Sequence, residues 1–485
     1  MRVTRTVIVA TALAAAVCTP LLTAPTAAAA PAKLADDFNG DGHRDFVMLG
    51  GSHGKDGRVT VVYGTSTGPG TRVQTIHQDS PGIPGSVEEG DDWGFAATSA
   101  DLDRDGYADL VVASPGETVG DVWRRGGLTV VWGGAQGLGS GTVFHSPVTP
   151  ENPVSGDQFG LDVVAGDFDG DGDQDLTAIS VGRAGAVLLK GPFTRTGGKS
   201  GWQSLGGDYG YLNASQLVAG RVAAGAATDL YILGRDLQSE DGDLDLRAYF
   251  HRGGSSFARR ANEIRVPDDG GHQVGGAGPV TAVGDFDKDG YGDLALGRGS
   301  EQPDRNRGYV TVQYGGPSGP DTTRKPVRFT QDTAGVPGSS EEDDGFGTAV
   351  AAGDVNGDGY ADLAVAAPGE DLEGKRQGGM VTVLLGREGG LSGTGAKTYH
   401  QNTSGVGGAV ENDDHFGLGL KLTDHTRDGR ADLIVDTNDQ LDDTRWGLVH
   451  LLKGTSSGIT GTGSKSFTVK SLNLPYKTLG GPFPH

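Results

Sequence analysis

The chain has 485 residues, 86 of them glycine, and its 63 acidic against 40 basic residues give a formal net charge of −23. So negative a surface excludes nucleic acid and anionic membranes as partners, and a single cysteine excludes a disulfide-stapled fold. Glycine at more than twice its usual share, with short valine-rich runs between the glycines, points to a turn-rich all-β chain.

The first 30 residues read as an export signal. Arg2 and Arg5 are followed by an apolar run over 7–17 and by small residues at 27–30 that suit cleavage. The run is shorter than the ~20 residues a bilayer span needs. Removing the segment takes away both arginines, moving the formal charge from −23 to −25, and with them Cys18. The mature protein is expected outside the cell as a monomer, free or wall-attached, with no membrane insertion. A compact body this negative repels itself unless something neutralises it.

From residue 31 onward one pattern recurs. Six stretches fit D-x-[DNT]-x-D-G-x-x-D: 37–45, 101–109, 167–175, 285–293, 354–362 and 424–432. A seventh, 221–229, sits where the spacing demands it but carries Arg221, Ala223 and Gly225 at the first, third and fifth positions and keeps only Asp229. Start to start, the intervals are 64, 66, 54, 64, 69 and 70 residues. Each unit repeats the same order of signals. An apolar run such as Phe346-Gly-Thr-Ala-Val-Ala-Ala enters the acidic loop, and a second, Asp362-Leu-Ala-Val-Ala-Ala, leaves it. A third lies between glycines, as in Arg58-Val-Thr-Val-Val-Tyr-Gly64, and a weaker fourth follows, as in Val73-Gln-Thr-Ile-His77. Four short strands per unit make a propeller blade. A lone meander cannot bury both faces, so the units must stack. The predicted fold of 31–485 is therefore a seven-bladed β-propeller with four antiparallel strands per blade. Residues 31–36 are few for an inner strand of the first blade. The tail over 466–474 reads as an outer strand, and residues beyond it are candidates to complete the first blade.

The acidic loops have the spacing of a calcium site. Oxygens at positions 1, 3 and 5 of a curled loop converge, a glycine at 6 allows the turn, position 7 offers its carbonyl and a carboxylate at 9 closes the shell. Oxygen donors without His or Cys select calcium over transition metals. The expected ligands are Asp37, Asn39, Asp41 and Asp45; Asp101, Asp103, Asp105 and Asp109; Asp167, Asp169, Asp171 and Asp175; Asp285, Asp287, Asp289 and Asp293; Asp354, Asn356, Asp358 and Asp362; and Asp424, Asp428 and Asp432, with Thr426 weakening the last set. These positions hold 21 of the 63 acidic residues, so five or six Ca²⁺ ions would supply much of the missing neutralisation. By charge alone the loops with four aspartates, beginning at Asp101, Asp167 and Asp285, rank as the tightest, and the 221–229 loop is expected to hold no ion.

These motifs resemble the FG-GAP repeat family, the propeller of integrin α subunits and of bacterial exported proteins. Phe159-Gly160, Phe346-Gly347 and Phe416-Gly417 match the first half of the name, with Trp93-Gly94 a variant. Ala113-Ser-Pro115-Gly and Ala366-Ala-Pro368-Gly match the second. The resemblance implies calcium in the loops between first and second strands. It also implies a non-catalytic binding or adhesion scaffold, with an accessory module of a secreted hydrolase or a glycan-binding lectin as alternatives.

Gly64-Thr-Ser66-Thr-Gly68 and Gly454-Thr-Ser456-Ser-Gly458 both fit G-x-S-x-G, but a nucleophile elbow needs a helix after its strand, and both copies lead toward another strand. The face opposite the calcium loops gathers acids at 88–92, 341–344 and 411–414. It also gathers Trp123, Arg124, Arg125, Arg305, Arg307, Lys375, Arg376, Arg445 and Trp446. Two readings stand: ion pairing between loops, or a surface for an extracellular protein or glycan anchored by the tryptophans.

Overall fold

The computed structural model describes residues 32–484 except 51–56, 149–155, 182–184, 206–211, 237–245, 256, 258–261, 266–279, 300–306, 443–444 and 482. The expected export signal and Arg305 lie outside the described residues. Among these residues there are 27 strands in seven antiparallel sheets and no helix, so no helix is long and apolar enough to cross a membrane. The second blade shows the plan: Ala97–Ala100, Asp109–Ser114, Gly127–Val131 and Gly141–Phe144 pair in sequence order. Blades three to seven repeat it, beginning at Val163–Gly166, Leu212–Gly220, Val280–Gly284, Val350–Gly353 and Leu420–Thr423.

After its opening aspartate the second strand of a blade carries a mainly apolar run rather than an alternating one, and Asp109–Ser114, Asp175–Ser180 and Asp362–Ala367 are buried at every position. A strand between two neighbouring sheets has no solvent face, so continuous apolar runs are what it requires. Seven buried clusters fill the seven gaps. Tyr63 with Trp93 joins blades one and two, and Trp132 with Phe159 joins two and three. Leu188 with Leu217, and Tyr231 with Leu296, follow. Phe329 with Phe346, and Tyr399 with Phe416, lead to the last gap, where Phe46 meets Ile434 and Phe467. Because blade seven packs on blade one in this way, the ring is closed.

Closure departs from the regular pattern. The first sheet has three strands, Phe46–Gly50, Arg58–Thr65 and Gly68–Ile76. Elsewhere the Phe of Phe-Gly donates its N–H to the residue before the glycine that opens the third strand of the preceding blade: Phe159 to Arg125, Phe346 to Arg307 and Phe416 to Gly378. In the last blade the N–H of Leu479 donates to Trp446 O, before Gly447. Leu479-Gly480 thus stands in for the Phe-Gly of the first blade, from the opposite end of the chain. Arg58 Nη2 donates to Thr478 O at 2.9 Å, Lys421 Nζ to Pro484 O at 3.0 Å, and the Phe46 and Phe483 rings lie 5.7 Å apart.

Candidate metal centres and the opposite face

In blades two to seven the loop joins the first strand to the second, and in blade one it leads into the strand Phe46–Gly50, so the six acidic copies lie on one face. Two backbone positions give the loop its curl. The glycine at position 6 has φ between 83° and 92° in all six loops, the left-handed region where glycine is unstrained. Position 4 is left-handed too, at 57–77°, yet in three loops it is Arg104, Lys288 or Arg427. These three reach the loop of the following blade: Arg104 to Gly172 O and Asp173, Lys288 to Asp358 O, and Arg427 against Gly42.

Inside the loop, the position 6 N–H donates to Oδ2 of the first aspartate at 2.7–3.1 Å. The position 7 N–H donates to the position 5 carboxylate at 2.9–3.0 Å. A carboxylate offers about four lone-pair sites, so these bonds orient the oxygens and leave capacity for a cation. In three loops the carboxylates converge: Asp101, Asp103 and Asp109; Asp167, Asp169 and Asp175; and Asp285, Asp287 and Asp289 each bring oxygens within 4.8 Å of one another. These are the three loops with four aspartates. Hard oxygen donors at such spacing fit a calcium ion.

The aspartate at position 9 has a task the sequence does not reveal. In all seven blades one of its oxygens accepts from the position 2 N–H, and the other accepts from the glycine that ends the third strand, at 2.7–3.0 Å. A Cβ on that glycine would collide with the carbonyl of position 8, which is why every third run closes with Gly. The carboxylate clasps three segments of its blade together. The 221–229 loop keeps the clasp through Asp229 although its other ligand positions are lost. Burial pushes these carboxyls upward against the pull of their amide donors: Asp109 to about 8, Asp45, Asp293 and Asp362 to about 7, and Asp175 to about 6. A cation beside them would favour the charged form.

On the opposite face the expected basic residues meet acids of the adjoining linkers. Arg124 lies 3.5 Å from Asp92, Arg125 3.2 Å from Asp157, and Arg376 2.7 Å from Asp413. Arg125 also donates to Ser146 O and Val148 O. Arg307 is exposed, as is Lys375, and Trp446 is half-buried. Trp123 is 56 % exposed with the Arg124 guanidinium 5.4 Å from its ring. The two G-x-S-x-G segments are tight turns, Thr65 and Thr455 each donating Oγ1 to the glycine three residues on.

Family models agree with the repeat. FG-GAP repeat matches residues 93–144, 277–312 and 346–384, and FG-GAP-like repeat matches 37–112. Integrin alpha-PS2 of Drosophila melanogaster is 31% identical over 252 residues, covering 48% of this chain and 18% of that protein. Phosphatidylinositol-glycan-specific phospholipase D of Rattus norvegicus is 29% identical over 169 residues, covering 34% and 18%. The matches therefore span less than a fifth of either relative. Among solved structures, the Photorhabdus luminescens Tc holotoxin pore aligns over 84% of this chain and 17% of that one, at 15% identity and a TM-score of 0.33, too distant to carry an argument. With seven sheets closed in a ring, Phe-Gly before three of the acidic loops and family models matching four of the six, the chain is a seven-bladed β-propeller that carries FG-GAP repeats.

Proposed function

We propose that this is an exported, calcium-stabilised propeller that acts as a non-catalytic binding scaffold. The observation that carries the calcium reading is the convergence of three carboxylates within 4.8 Å in three separate loops, on a chain whose net charge of −23 calls for cations. Calcium supplies charge neutralisation and ties the two ends of each loop together. At ~1 mM Ca²⁺ and a Kd of ~0.1 mM each site contributes ~1.4 kcal/mol, so six give ~8 kcal/mol. For a chain this long the unfolding entropy is ~0.9 kcal/mol/K, so a chelator lowers Tm by ~9 °C. An unchanged Tm refutes the calcium role.

The binding surface is the face opposite the loops, with Trp123 and Arg124 as its anchor and an extracellular protein or glycan as its ligand. Exposed Trp beside Arg is the composition of interface hot spots. Trp123→Ala with Arg124→Ala is expected to keep the melting temperature and lose capture on a glycan or protein array. Lost stability with unchanged capture assigns the pair to packing. The similarity to a phosphatidylinositol-glycan-specific phospholipase D supports a second reading, an accessory module beside a hydrolase. A hydrolase that co-purifies with the chain would establish it.

A further inference from the structure

Position 3 is the ligand position whose charge varies around the ring. It is Asp103, Asp169 and Asp287 in blades two, three and five, Asn39 and Asn356 in one and six, and Thr426 in seven. Each of the three aspartates meets a basic side chain. Arg195 Nε lies 2.7 Å from Asp103 and its Nη2 2.5 Å from Asp105. Lys190 Nζ lies 2.8 Å from Asp169, and Arg324 Nη1 2.6 Å from Asp287. These groups come from different places. Lys190 ends the strand Gly185–Lys190 of its own blade, Arg324 follows the third strand of its own blade, and Arg195 crosses from blade three to blade two.

The first blade supplies an internal control. Arg195 and Arg324 stack on the aromatic residue before the clasp glycine, 5.6 Å from the Trp132 centroid and 3.1 Å from that of Tyr314. Arg72 stacks in the same way on Tyr63, at 4.0 Å. The loop of that blade has Asn39 at position 3, and Arg72 donates instead to Gln136 O at 2.7 Å. In the two Asn loops the amide itself donates to the position 5 carboxylate, Asn39 to Asp41 at 3.0 Å and Asn356 to Asp358 at 2.9 Å. Counting only the four ligand positions of each loop with any basic side chain paired to them, the formal charge is −3 in five of the six acidic loops and −2 in the last, where Arg430 lies 3.6 Å from Asp428.

We propose that Arg195, Lys190 and Arg324 are built-in counter-ions that level calcium affinity around the ring. The inference rests on the calcium reading above. It reverses the ranking by aspartate count: the four-aspartate loops hold calcium no more tightly than the Asn loops. The reason is electrostatic. The basic group occupies an oxygen the ion needs and stands a few ångströms from an incoming double charge. Even at a dielectric near that of water this weakens binding by about tenfold.

Calcium titration calorimetry on the full chain tests it, with wild type, Arg195→Gln, Arg195→Lys and Asn356→Asp. The expected result is unchanged stoichiometry, with one site tightened about tenfold in Arg195→Gln and in Asn356→Asp, which makes a four-aspartate loop without a counter-ion. Arg195→Lys is expected to behave as wild type. If Arg195→Gln does not fold, Asn356→Asp, in an exposed stretch of its loop, carries the test. Unchanged or weakened affinity in both neutralising and acid-adding variants overturns the inference, since the arginine then only orients its ligand. A flat wild-type titration is a different failure, that of the calcium reading itself.

Discussion

Asp229 isolates the clasp from the metal, because its loop keeps no other acidic ligand. Its side chain is buried, and it accepts from Val222 N at 2.9 Å, Ala223 N at 2.7 Å and Gly253 N at 2.7 Å. Asp229→Ala leaves three amide donors without their acceptor in a place with little water. Each such donor costs ~1–3 kcal/mol, and the lost bonds are the stronger, charge-assisted kind. The expected destabilisation is ~4 kcal/mol. Divided by ~0.9 kcal/mol/K of unfolding entropy, this lowers Tm by ~4 °C. The assay is thermal and urea unfolding, each with calcium and with chelator. The fall should be the same in both conditions. Asp362→Ala, in an acidic loop, should show a larger fall with calcium than without, because clasp and ligand are lost together. A loss below ~1 kcal/mol at Asp229, or one that appears only with calcium, refutes the idea that position 9 is first a structural acceptor.

Two further expectations follow from ring closure. Deleting 477–485 removes Leu479, Phe483 and the Thr478 contacts of Arg58, so the gap between blades seven and one should open; limited proteolysis should then cut within those blades first, and an unchanged digest counts against the tail as closure. Asp436 is buried and accepts from Gly481 N and Thr437 N, and burial pushes its carboxyl to about 7 although those amides pull it down. A carboxyl raised on folding contributes stability that is present below its unfolded value near 4 and lost as pH climbs through 7. Asp436→Asn should therefore gain on wild type between pH 4 and 7, at up to ~1.4 kcal/mol per pH unit, and level off above 7; a pH-independent difference in urea midpoint contradicts this.

The opposite face was legible as composition but not as geometry. The sequence places Trp123, Arg124 and the acids at 88–92 on linkers of one side, yet only the packed blades decide that Arg124 meets Asp92 while Trp123 stays exposed. Arg445 and Trp446 belong by sequence to turns of the same face; the tertiary structure gives Trp446 a backbone role, pairing with Lys477 and Leu479 to receive the tail.

What the sequence determined alone was the number of blades, their order and the place of the acidic loops. These are set by contacts within a few residues, where a left-handed glycine and oxygens at fixed spacing leave a repeated trace. The tertiary structure decided what lies between distant residues. Leu479 replaces a phenylalanine that the first blade lacks, and Arg195 meets Asp103 across 92 positions. Neither residue repeats, so no periodicity could mark it. The double duty of position 9 stayed hidden for another reason: an aspartate that clasps backbone and one that binds a cation have the same side chain, and only the positions of its amide donors separate the two.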